Sequence, residues 1–156
     1  MLTACSRAVS LPNGIHMVGT VRQYMVSDVE TLAPDDSMEA ALILERRHRI
    51  RHIPIVENGV LVGIVTDRDL KRAMPSPLSG TDQQTFEHVA RTTLVGQIMT
   101  RSPSTISPDA PLSDAVRIVC EQKFGALPVV EAGKLIGIIT ETDMLRALLT
   151  ILDRES

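Results

Sequence analysis

The chain has 156 residues, 44% of them hydrophobic and 22% charged, with a formal charge of −3, an ordinary globular balance. Tyr24, Phe86 and Phe124 are its only aromatic residues, so the core must be aliphatic and stacking platforms for single-stranded nucleic acid are excluded. The net negative charge removes any general attraction to nucleic acid or acidic membranes, and no apolar run approaches the ~20 residues of a membrane span.

Residues 1–20 read as a poorly structured leader, with Met17 as an alternative start. Cys5 and Cys120 form neither a CxxC pair nor a disulfide framework, which suits a reducing cytoplasm. From Val21 the chain repeats itself. Val21–Ala73 aligns without a gap on Val95–Ala147, and eighteen of the 53 positions are identical. Such repetition implies two copies of one supersecondary unit. The divisions are 21–74 and 95–149 for the repeats, 75–94 for the link between them and 150–156 for a tail.

Each repeat opens with a short apolar stretch ending at Met25 or Met99. An extended segment follows, closed by Pro34 or Pro108, beyond which a helix begins. Asp36 and Glu39 have capping-box spacing, and Pro111 suits a first helical position. Met38, Ala41 and Leu42 recur at helical spacing, as do Leu112, Ala115, Val116 and Val119. Two strands come next, "IPIV" and "VLVGIV", around the hairpin signal Asn58-Gly59; "LPVV" and "KLIGII" repeat them around Ala132-Gly133. A helix ends each repeat. In the link, Thr81 and Gln84 predict a capped helix with Phe86, Val89 and Thr93 on one side. The fold class expected is α/β, two β-α-β-β-α repeats packed as one module, because some 50 residues alone bury too little.

The stretches "GIVTDRD" and "GIITETD" carry the chemistry. Thr-x-x-Asp is a capping pattern, which needs no ligand. The same geometry also brings a Thr hydroxyl, a helix N-terminus and a carboxylate to a cleft, where a ribose could be held. His48 and His52 stand four apart without a third ligand, and no nucleophile–base arrangement or phosphate loop occurs. Neither a metal nor a catalytic site is expected.

The pattern of Met, Thr-x-x-Pro-Asp, a Pro-Val-Val-Glu-x-Gly strand turn and Gly-h-h-Thr-x-x-Asp resembles the CBS domain, which occurs in tandem pairs called Bateman modules. The resemblance covers residues 21–149 and implies two pseudo-twofold repeats with clefts for adenine nucleotides or adenosyl compounds. More loosely, "IRHIP" and "ITDRDLKRAMPSP"-like stretches are similar to small stand-alone CBS proteins of the acetoin-utilisation type. The family's ribose-binding aspartate falls on Asp69 and Asp143, with the hydroxyl positions on Thr66 and Thr140. Its base-wall and phosphate positions fall on Ile50, Arg51, His52 and Ile53, and on Phe124, Gly125, Ala126 and Leu127. Arg51, His52 and Arg68 make the first copy basic, which favours a phosphorylated ligand there; Phe124 would wall the base in the second. AMP, ADP or ATP is the ligand implied, with S-adenosylmethionine or NADH as alternatives. Leu148, Leu149, Ile151 and Leu152 exceed what one small core needs and predict a homodimer. The expected function is a nucleotide-sensing regulatory module acting on an effector protein, against a structural module with vestigial clefts.

Overall fold

The computed structural model describes residues 19–76, 80 and 82–154. Residues 1–18 of the expected leader, with Cys5, and Thr81 therefore lie outside the described residues, while Thr20 forms a bridge with Pro111. In chain order the elements are α1 (Val21–Tyr24), α2 (Met38–His48), β1 (His52–Glu57), β2 (Val60–Thr66), α3 (Asp67–Ala73), α4 (Gln83–Thr92), α5 (Val95–Ile98), β3 (Thr100–Arg101), α6 (Leu112–Gln122), β4 (Ala126–Glu131), β5 (Lys134–Thr140) and α7 (Glu141–Arg154).

Each hairpin is built as its turn chemistry dictates. Asn58 and Gly59 both take positive φ, 51° and 81°, the twist that a two-residue hairpin turn requires. Ala132 takes φ 47° before Gly133 at 78°, so the second turn keeps the geometry with a residue that resists it. The expected first strands shrink to single parallel bridges, Leu32 to Ile55 and Ile106 to Val129. Their flanking prolines and polar residues leave little to pair.

Three helix starts differ from expectation. Ser37, not Asp36, caps α2 by accepting from the Ala40 N–H, while Asp36 accepts from the Ala33 N–H at 2.7 Å and closes the preceding turn. Pro111 sits at the cap position of α6 rather than inside it. Asp82 caps α4 by accepting from the Thr85 N–H at 2.8 Å, the same spacing shifted one residue on from the expected Thr81 and Gln84.

The two hydrophobic cores exchange their lead-in helices. Val21 of α1 is buried with Leu112, Leu127, Val129 and Ile139 of the second repeat. Val95 of α5 is buried with Met38, Ile53, Ile55 and Leu70 of the first. Backbone bonds follow the same exchange: Val21 N–H donates to Ala110 O, and Val95 N–H donates to Asp36 O, each at 2.9 Å. Val26 then pairs with Ile138 of β5, and β3 pairs with Gly63 and Ile64 of β2. Arg22 reinforces the first crossing by bonding Asp109 and Glu131.

This crossing explains the glycine of the repeated motif. A Cβ on Gly137 would meet Met25 Sδ at 2.8 Å and Val26 O at 2.9 Å. Gly63 is crowded in the same way by Met99. The methionine ending each lead-in stretch thus lies across the strand glycine of the other repeat, where any side chain would collide. The hairpins meet along β2 and β5 at one pair, Val60 to Lys134, in a sheet of order β1-β2-β5-β4.

Candidate functional site

Thr66 ends β2 and caps α3; Thr140 ends β5 and precedes α7. The Thr66 N–H and hydroxyl both donate to Asp69 Oδ2, at 2.9 and 2.7 Å, and the Asp69 N–H donates to Thr66 Oγ1 at 3.3 Å. Thr140 and Asp143 reproduce the set at 2.9, 2.6 and 3.3 Å. The capping reading is therefore realised in full. It consumes one carboxylate oxygen and leaves the other facing a loosely held cation, Arg72 at 3.9 Å or Arg146 at 3.5 Å. That second oxygen retains acceptor capacity for a hydroxyl group. Asp143 is only 8% exposed, the one buried charged residue among those described.

The helix starts offer fewer open donors than the sequence implies. Glu141 N–H donates to Gly125 O and Asp67 N–H to Arg51 O, both at 3.1 Å. These bonds clamp each motif to the approach of its own repeat's outer strand.

A cleft of about 230 Å³ opens beside Thr140. The second repeat contributes Ile138, Thr140, Glu141, Thr142 and Gly125 to its wall. The first contributes Arg49 to His52, and the crossing segment adds Val26 and Asp28 to Glu30. The site is thus assembled from both repeats. Arg51 and His52 adjoin the first motif as expected, through the Asp67–Arg51 backbone bond and the His52–Thr66 strand pair, and they also line the cleft beside the second. The two approaches meet at this seam, where a Cβ on Gly125 would lie 2.5 Å from His52 Nε2.

Other expected residues sit elsewhere. Ile50 lines the cleft, but Ile53 (1% exposed) and Leu127 (0%) point into the two cores and wall no ligand. Strand alternation, set by His52 and Ala126 beside them, decides this. Phe124 is 37% exposed and outside the lining of this cleft, as are Arg68, Thr66 and Asp69; Asp143 stands behind Thr140 rather than in the lining itself. In the 74-residue register Phe124 is the counterpart of Ile50.

Burial pushes the His52 imidazole below its ordinary pKa, and Arg51 and Arg68 push the same way against Asp67 and Glu141. The neutral ring is favoured without ligand, so His52 alone adds no standing cation to the cleft. The cations are Arg49 and Arg51, balanced by Asp28, Glu30 and Glu141. Arg49 was not foreseen. It holds a left-handed conformation, φ 55°, as the C-cap of α2, and its counterpart Lys123 does the same at 56°. Glycine is the usual residue there, so a repeated long cation was the readable signal. Among the described residues no three His, Cys, Asp or Glu side chains gather as a metal site, and no helix is long and apolar enough to cross a membrane.

Residues 21–76 and 95–150 each match the CBS domain. The chain belongs to the CBS-domain family. It is 33% identical to a CBS domain-containing protein of Dictyostelium discoideum over 85% of this chain and 93% of that protein. It is 34% identical to inosine-5'-monophosphate dehydrogenase of Korarchaeum cryptofilum over 88% of this chain, but spans only 27% of that enzyme. Among solved structures, CBSX2 in complex with AMP superposes with a TM-score of 0.71 at 34% identity, over 85% of this chain and 97% of that one. A Vibrio cholerae chain named for acetoin utilization, AcuB, gives 0.72 at 30%, over 88% and 97%. The CBS pair of protein MJ0100 with 5'-methylthioadenosine and S-adenosyl-L-methionine gives 0.70 at 26%, over 85% and 98%. The fold is that of CBS pairs, two mixed α/β repeats forming one module.

Proposed function

We propose that this CBS pair is a regulatory module that binds an adenosyl ligand carrying no more than one phosphate in the cleft beside Thr140. The observation that carries this reading is the joint lining of the cleft by Thr140, braced by Asp143, and by Ile50 to His52 of the other repeat. A ligand there touches both repeats and so favours one arrangement of them, which is the requirement for a regulatory shift. The output is a change in what a partner protein, or a second copy, can dock.

Two arginines against three carboxylates and a neutral histidine suit AMP or a zwitterionic adenosyl compound, not the charge of ADP or ATP. Relatives captured with AMP, 5'-methylthioadenosine and S-adenosylmethionine support the ligand class. Calorimetry with AMP, ADP, ATP, adenosine, S-adenosylmethionine and NADH tests it. AMP or S-adenosylmethionine should bind more tightly than ATP. Failure of every adenosyl compound to bind overturns the proposal and leaves the second reading, a structural module, which the self-satisfied capping boxes favour.

A further inference from the structure

We propose that the end of α2 is a docking face for an acidic segment of a partner protein, and that the ligand of the neighbouring cleft competes for it. The competition rests on the reading of that cleft as an adenosyl site; the docking face does not. Arg46, Arg47, Arg49 and Arg51 stand within six residues, with no acidic residue among them. All four are exposed, and among the described residues none of them has a carboxylate partner. Lys71 and Arg72 on α3, by contrast, pair with Asp67 and Asp69.

The fold does not require this charge. Cations favour a helix C-terminus through its dipole, yet α6, equal to α2 in length and register, has no basic residue in its last turn. In the 74-residue register the four arginines become Cys120, Glu121, Lys123 and Gly125. Like charges crowded on one face repel each other. The first repeat therefore holds a charge that its own packing neither needs nor neutralises, and an anion from outside suits it.

The occupant is a protein segment because of what stands beside the arginines. Ile43, one turn before Arg47 on the same side of α2, is 43% exposed. An apolar anchor next to arginine is a pairing on which protein interfaces rely. One isoleucine is too little apolar face to enter a bilayer, and residues 41–52 hold no aromatic ring on which a base could stack. The basic run is also short. Asp28, Glu30 and Glu141 share the cleft with Arg49 and Arg51, so a long polyanion would meet carboxylates there. Arg49 and Arg51 belong to both surfaces, since they line the cleft and continue the run that ends α2. A ligand that engages these two arginines weakens the face for anything acidic outside.

Fluorescence anisotropy of a labelled peptide, glutamates around a central leucine, tests this on the full chain. The peptide should bind, weaken with salt, and lose about tenfold or more in affinity with Arg47→Glu. Arg117→Glu, the same charge change at an exposed position of α6, should cost less than about twofold. Ile43→Ser, which changes no charge, should also weaken the peptide, and circular dichroism melting checks that each variant folds. AMP should displace the peptide, while Arg47→Glu, outside the cleft, should leave AMP affinity by calorimetry within about twofold. A peptide that does not bind, an equal loss with Arg117→Glu, or tighter binding of an equally charged oligonucleotide or of phosphatidylserine vesicles would each overturn the docking face. A peptide that stays in place with AMP bound overturns the competition. AMP that fails to bind overturns the reading of the cleft and the competition with it, and the docking face then stands or falls on the peptide and Arg47→Glu alone.

Discussion

The His52 ring stands where a side chain at residue 125 would have to be: a Cβ on Gly125 would lie 2.5 Å from His52 Nε2. The register makes Gly125 the counterpart of Arg51, so only one repeat can extend side chains across this seam. The obstacle is the tip of a partly exposed ring, which can turn aside. Gly125→Ala should therefore cost about 1 kcal/mol or less while weakening the adenosyl ligand by moving His52. Gly96→Ala, facing the Pro34 carbonyl oxygen at 2.8 Å, should cost about 1–3 kcal/mol because backbone must move. Urea denaturation of both ranks them; equal losses would mean that the ring is not the part that yields.

Acidity should act through the same ring. Its pKa is lowered by burial and by Arg51, so the unfolded chain takes up the proton first. Stability from this source is complete above about pH 6.5 and is lost as pH falls below that value toward the folded pKa. His52→Gln should flatten the stability profile below about pH 6.5. An unchanged slope would assign it to other groups. Asp67, held low by Lys71 and Arg51 despite burial, loses its contribution only at lower pH.

The cap made by Asp143 can be separated from its proposed part in ligand binding. Asp143→Ala removes the cap and should cost about 1–2 kcal/mol in stability as well as ligand affinity. Asp143→Asn can still accept from the Thr140 N–H but replaces the second carboxylate oxygen, the one proposed to meet the ligand, with an amide. It should keep most of the stability and lose about tenfold or more in affinity for the adenosyl compound that binds. Melting curves beside calorimetry separate the two effects.

The second hairpin turn should be improvable. Ala132 pays for φ 47° without the side chain that makes Asn58 comfortable at 51°. Ala132→Asn should raise stability by about 0.5–1 kcal/mol, read from the midpoint of thermal unfolding. A lowered midpoint would show that the two turns are not equivalent.

The two hairpins, the motif helices and the core faces of α2 and α6 were legible because periodicity and turn residues are local signals. The second turn was readable despite Ala132, since Gly133 and the flanking strands sufficed. What escaped was set by partners far along the chain. Nothing local says that Val21 belongs with Leu127, or that Arg51 and His52 face Thr140 across the seam. Ile53 and Leu127 were misplaced for a simpler reason: a one-residue step along a strand reverses the face. Arg49 was missed because its conformation, not its chemistry, puts it in the cleft.

The exchange of α1 and α5 makes the duplicated chain indivisible. Cutting it within residues 75–94 would yield two fragments, each holding the helix that the other's core lacks. Either fragment alone is left with a hole at Val95 or Val21 and an apolar arm with nowhere to lie. Mixed, the fragments should refold by trading arms, and one alone could do so only with a copy of itself. The link thus serves as a tether, holding at high local concentration an exchange that two separate chains would complete only by meeting.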